Sequence, residues 1–137
     1  MNRTRLVAQL RRHEGMKLTP YRCTAGKLTI GVGRNLDDVG ITEDEALVLL
    51  DNDVTRVFQE CQRHLPTFGS LCEARQHVLI GMTFNLGFAG LLDFKKMLAA
   101  VEAADFDRAA AEMLDSKWAR QVGTRAATLA KMMKEGA

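Results

Sequence analysis

At 137 residues the chain has the length of one ordinary domain, enough for a hydrophobic core and too short for two such domains. Apolar residues make up 47% and charged residues 26%, a composition that excludes a disordered chain. A net charge of +2 sets aside a strongly basic nucleic-acid binder as the default reading. The three cysteines, Cys23, Cys61 and Cys72, are odd in number and irregular in spacing, so they form neither a disulfide framework nor a zinc pattern. His13, His64 and His77 show no metal-ligand spacing either, and no metal site is expected. No apolar run reaches membrane-spanning length, and Met1 to Arg12 carries charges throughout, unlike a secretory signal.

Most of the chain reads as helix. Leu6, Val7 and Leu10 recur at helical spacing over residues 3–13, with arginines on the other side, and Gly15 is a terminator. The texture then changes. Leu28, Ile30 and Val32 alternate with Thr29, Gly31 and Gly33 behind a turn at Thr24-Ala25-Gly26-Lys27, which predicts a β-hairpin, with a third short strand near residues 35–39. Thr42 with Glu45 forms a capping box that opens a long helix over 43–63, ending before Pro66. Ala46, Leu50, Val54, Val57, Phe58 and Cys61 form its apolar stripe.

Ser70 with Glu73 suggests a second capping box. The helix behind it, to about Leu86, is apolar nearly all round and is expected at the centre of the core. Shorter helices are predicted near 93–103, 106–115 and 124–135, the last capped by Thr124. The predicted fold class is α+β and mostly helical. It is a single domain over 1–137, with a β-lobe at about 15–40, a helical lobe at about 1–13 and 64–137, and a bridging helix at about 43–63.

Glu14 stands where the first helix gives way to the hairpin. Taken alone it is a solvated helix-end carboxylate or a general acid. Cys23 alone is a small apolar residue, and Thr29 an ordinary strand residue. Thr29 shares its face with Gly31 and Gly33, whose bare backbone suits the close approach of a ligand.

The string Glu14-x8-Cys23-x5-Thr29 has the spacing of the catalytic triad of phage-type lysozymes, the endolysin muramidases of glycoside hydrolase family 24. His13-Glu14-Gly15, Tyr21 and Leu28 to Gly33 resemble the hairpin motif of that family, and Gly40 to Ala46 resembles the start of its interdomain helix. Met82 to Gly87, Ser116-Lys117-Trp118, Gln121 and Arg125-Ala126 resemble its later signatures, so the likeness covers essentially the whole chain. Many members carry Asp at the position of Cys23, and the stretch between Gly33 and Ile41 is short, so the β-lobe is trimmed.

The resemblance implies a lysozyme-like fold and hydrolysis of the β-1,4 bond between N-acetylmuramic acid and N-acetylglucosamine in bacterial peptidoglycan. Inversion is implied, with Glu14 as general acid and Cys23 and Thr29 holding the water. Tyr21, Gly31, Phe84, Trp118 and Arg125 are the expected substrate-binding residues. Trp118 alone reads equally as core packing, and Asp37 or Asp38 is an alternative source of a carboxylate. No cofactor, nucleic acid or membrane insertion is implied, and a monomer is expected. The implied setting is the cytoplasm of a bacterial host, with access to the wall after release by a holin-type protein. The competing readings are a catalytically weak peptidoglycan-binding homologue and a helical DNA-binding module using Arg3, Arg5, Arg11 and Arg12.

Overall fold

The structure is a computed structural model that describes all residues from Met1 to Ala137. By its internal contacts the chain divides into two compact units, Met1–Leu49 and Leu50–Ala137, and each is taken by itself. Helix α1 (Arg3–Glu14) falls in the first unit, alongside the sheet.

In the first unit, α1 starts at Asn2, whose side chain accepts the N–H of Arg5, and stops at Gly15 with φ +72°. Such a backbone angle is open to glycine at little cost. Strands β1 (Lys17–Arg22), β2 (Leu28–Gly31) and β3 (Arg34–Asn35) form an antiparallel sheet in the order β1-β2-β3. The pairing sets Tyr21 opposite Thr29 and Thr29 opposite Asn35. The third strand is two residues long and begins earlier than the sequence predicts, because residues after Asn35 turn: the N–H groups of Val39 and Gly40 both reach Asn35 O.

Thr29 is the only buried residue of Met1–Leu49. Strand β2 ends at Gly31, where positive φ turns the chain, two residues short of the predicted alternation; Ile30 on its other face and Val32 in the turn border an open groove of about 1040 Å³ with Val39, Ile41 and Val48.

Helix α2 (Glu43–His64) begins with the capping box that the sequence shows: Glu45 N–H donates to Thr42 Oγ1 at 3.1 Å, and Thr42 N–H to Glu45 Oε1 at 2.9 Å. Of its predicted apolar stripe only Val57 and Cys61 are buried. Leu50, Val54 and Phe58 remain exposed.

The second unit carries the hydrophobic core. Phe68, Leu79, Met82, Leu91, Met97, Met113 and Met133 are all fully buried. Full burial of such side chains stabilises by roughly 1.5–3 kcal/mol each before the entropy of ordering them is charged against it. Helix α3 (Glu73–Leu92) runs through this core as predicted, but it continues past Leu86 across a kink at Gly87, where φ +74° and ψ 162° interrupt the helix. Its N-cap is Cys72. Ser70 closes a short 3₁₀ turn (Phe68–Ser70), so the expected Ser70 capping box does not form.

Helices α4 (Lys95–Glu102), α5 (Phe106–Leu114) and α7 (Thr124–Glu135) follow the predicted positions, and α5 packs on both α4 and α7. Thr124 is the first residue of α7 rather than its cap, which is Gly123. Helix α6 (Lys117–Val122) was not foreseen; Ser116 caps it by accepting the N–H of Ala119 at 3.1 Å. Arg75 clamps the end of α7, donating to Met133 O at 2.7 Å and Lys134 O at 2.9 Å while its guanidinium lies 3.5 Å above the Phe106 ring. No single helix is long and apolar enough to cross a membrane.

Candidate active site

The candidate triad lies in the first unit, and the β1–β2 turn organises two of its members. Cys23 N–H donates to Lys27 O at 2.9 Å, and Gly26 N–H donates to Cys23 O at 2.8 Å, which closes the turn. The Thr29 hydroxyl donates to the same Lys27 carbonyl at 2.8 Å. One carbonyl oxygen thus joins Cys23 to Thr29 across the turn.

The Cys23 thiol is held below its ordinary pKa, chiefly because the backbone N–H groups of Lys27 and then Ala25 face the sulfur and favour the thiolate. Partial desolvation opposes this shift without cancelling it. Cys61 goes the other way: burial raises its pKa, as it does for a structural thiol. Thr29 is 3% exposed and Cys23 is half-buried, so Cys23 is the more accessible of the pair.

Glu14 ends α1 with an exposed side chain. Its carboxylate lies over Gly33, where a Cβ would sit 3.4 Å from Oε2. Gly31 stands between Thr29 and Gly33 along the chain, and a Cβ built there would meet nothing within 4 Å. Along the chain, Gly31 therefore separates Thr29 from Gly33, the residue beneath the Glu14 carboxylate. Both glycines have positive φ, +70° at Gly31 and +74° at Gly33, which other residues adopt only under strain. Tyr21 pairs with Thr29 on the neighbouring strand and is half-exposed.

Asp37 enters this site in a way that composition and periodicity could not show. Its Oδ2 accepts the N–H of Leu28 at 2.8 Å and lies 3.6 Å from Arg22 Nη1. Asp38 takes Lys27 Nζ at 3.2 Å. The two acids that the sequence offers as a possible carboxylate source are both bonded to the turn and its neighbours.

The other candidate residues lie in the second unit. Trp118 is 4% exposed; its indole N–H donates to Asn85 Oδ1 at 2.7 Å, and its ring meets Phe94 edge-on at 6.0 Å. It packs as a core residue and also borders a cavity of about 520 Å³ with Leu86, Phe94, Met97 and Gln121. Phe84 is 41% exposed on α3, and Arg125 is exposed in the first turn of α7. No group of three or more His, Cys, Asp or Glu side chains is placed to hold a metal ion.

The chain matches the family described as phage lysozyme over residues 11–135. It is 27% identical to the pre-baseplate central spike protein Gp5 of Enterobacteria phage T4, in an alignment covering 96% of this chain and 28% of that protein. The chain thus spans little more than a quarter of the spike protein's length. It is also 27% identical to an endolysin of Acyrthosiphon pisum secondary endosymbiont phage 1, over 81% of this chain and 75% of that one. A probable T4-type lysozyme of Dictyostelium discoideum is 27% identical, over 93% of this chain and 92% of its own length.

Proposed function

This chain belongs to the phage lysozyme family, and from that premise we propose that it is a muramidase hydrolysing the β-1,4 bond between N-acetylmuramic acid and N-acetylglucosamine in bacterial peptidoglycan. Family membership supports a muramidase or endolysin role in general. The observation that carries the finer reading is the sharing of the Lys27 carbonyl by Cys23 and Thr29, on a turn joined by a glycine strand to the residue beneath the Glu14 carboxylate.

In this reading Glu14 delivers a proton to the glycosidic oxygen, because an alkoxide leaves poorly from an oxocarbenium-like transition state. A water on the opposite face of the ring completes the displacement with inversion. The hydroxyl proton of Thr29 is committed to Lys27 O, so its oxygen offers lone pairs and accepts a hydrogen bond from that water. Cys23 is the second acceptor, and as thiolate it also takes the water's proton. Gly31 lets the sugar approach the backbone, beside Tyr21. Phe84, Trp118 and Arg125 are further substrate-binding residues in this reading. The whole chain acts as one domain and as a monomer, needs no cofactor, and works on the wall from a bacterial cytoplasm once a holin-type protein has opened the membrane.

One observation favours a second reading. A thiol at position 23, beside a threonine that is almost fully covered, would suit a catalytically weak homologue that binds peptidoglycan. Clearing of a purified peptidoglycan suspension separates the two. The muramidase releases fragments with a reducing muramic end, initially as the α-anomer by NMR. A 1,6-anhydro product would assign the chain to lytic transglycosylases, and binding without clearing would leave the weak homologue.

A further inference from the structure

The peptide group between Lys27 and Leu28 is held at both ends. Its carbonyl accepts Cys23 N–H at 2.9 Å and the Thr29 hydroxyl at 2.8 Å. Its N–H donates to Asp37 Oδ2 at 2.8 Å. The third strand is too short to satisfy this donor from its own backbone: Leu36 N–H reaches Leu28 O at 2.7 Å, and there the ladder ends. The Asp37 carboxylate takes the place of the next backbone acceptor, and Arg22 Nη1, 3.6 Å away, faces the same oxygen.

We propose that Asp37 is a positioning residue for the reaction, fixing the Lys27–Leu28 peptide plane and, through its carbonyl, the backbone of Cys23 and the side chain of Thr29. The inference rests on the muramidase reading above. A charged acceptor holds an N–H more firmly than a neutral one. It also polarises the amide, so the carbonyl at the other end becomes a better acceptor. That keeps the Thr29 proton on Lys27 O and leaves the hydroxyl oxygen as an acceptor toward water. If the peptide turned, the hydroxyl would be free to donate to the water instead, and the water's lone pair would no longer be directed at the anomeric carbon. The consequence falls on the chemical step and not on sugar binding, since Asp37 itself touches no sugar in this scheme.

The test uses the full chain as Asp37→Ala and Asp37→Asn, with kinetics on soluble peptidoglycan fragments, thermal unfolding, amide NMR and thiol alkylation. Asp37→Ala should lower kcat about tenfold, the usual scale for losing a charge-assisted hydrogen bond, with KM nearly unchanged. Asp37→Asn keeps a neutral acceptor for Leu28 N–H and should recover part of the loss. Asp37→Ala should move the Leu28 amide proton resonance upfield, as losing its hydrogen-bond acceptor does, and slow alkylation of Cys23 at neutral pH. An unchanged kcat in a folded Asp37→Ala chain overturns the proposal. So does equal damage by Ala and Asn, or a loss of activity that only tracks the loss of folded protein. Wild-type protein that turns over no peptidoglycan, while Asp37→Ala still moves its Leu28 amide resonance, sinks the muramidase reading and leaves the tether itself standing.

Discussion

The Glu14 carboxylate lies over Gly33 at a point where any side chain would touch it: a Cβ at residue 33 would meet Glu14 Oε2 at 3.4 Å. Gly31, two residues earlier, has nearly the same backbone angle, +70° against +74°, yet its missing Cβ would meet nothing within 4 Å. Gly33→Ala and Gly31→Ala should therefore cost similar stability, about 1–2 kcal/mol for an L-residue in the left-handed region. They should differ in kinetics. The methyl at 33 comes into van der Waals contact with the proton donor, restricts its motion and should lower kcat, whereas the methyl at 31 narrows the approach of the sugar and should raise KM. Thermal melts with steady-state kinetics on both variants check this, and identical kinetic profiles would refute it.

Glu14→Gln keeps the shape of the side chain and removes the transferable proton. Turnover should fall by ~10²–10⁴-fold, the usual contribution of general acid catalysis. The melting temperature should stay near wild type, because Glu14 is exposed and makes no ion pair. Near-normal clearing by folded Glu14→Gln protein would remove Glu14 from its role.

Cys23 offers a sharper contrast. With its pKa lowered by the Lys27 and Ala25 N–H groups, Cys23 should alkylate with a pH midpoint below that of an ordinary thiol. Buried Cys61, whose pKa is raised, should react last. Modification of Cys23 should stop lysis. Cys23→Asp should remain active, since a carboxylate is a good acceptor for the water, and Cys23→Ala should lose most activity. A Cys23 rate still climbing well above pH 8.5 would rule out the thiolate, and full activity of Cys23→Ala would reduce position 23 to packing.

What the sequence makes legible here is local. The Thr42–Glu45 box and the apolar saturation of the Val78–Met82 segment each follow from neighbouring residues and appear where expected, whereas the alternation from Leu28 marks a strand that stops at Gly31, two residues before Gly33. Ser70–Glu73 has the same lettering as Thr42–Glu45 but fails as a cap, because Ser70 N–H is drawn back to Thr67 O in the 3₁₀ turn and Cys72 takes the cap position. Helix α6 is six residues long, less than two turns, so it shows no apolar period to read. The triad spacing points to Cys23 and Thr29 without saying what joins them. That joint is a backbone carbonyl, and the carboxylate on the far side of its peptide, Asp37, lies nine residues from Leu28. Backbone acceptors have no letter in a sequence.

Glu45 shows how one cap residue acquires a second role that pH can expose. Its two oxygens take Arg34 Nη1 and Nη2, each at 2.8 Å, and Oε1 also accepts Thr42 N–H at 2.9 Å. The Arg34 hydrogen bonds first, and the Thr42 N–H second, push the Glu45 pKa from an ordinary 4.5 down to about 2. A depressed carboxyl pKa stabilises the folded state in full above the unfolded value. That contribution is lost as pH falls from about 4.5 toward about 2. Glu45→Gln keeps an acceptor for Thr42 but not the charge. Its melting temperature should therefore lie below wild type at neutral pH, and the gap should close as pH falls through that window. Both partners are more than a third exposed, so added salt should also shrink the gap at neutral pH. A gap that stays constant from pH 7 to pH 2 would mean that the Arg34 pairing is not what lowers the Glu45 pKa.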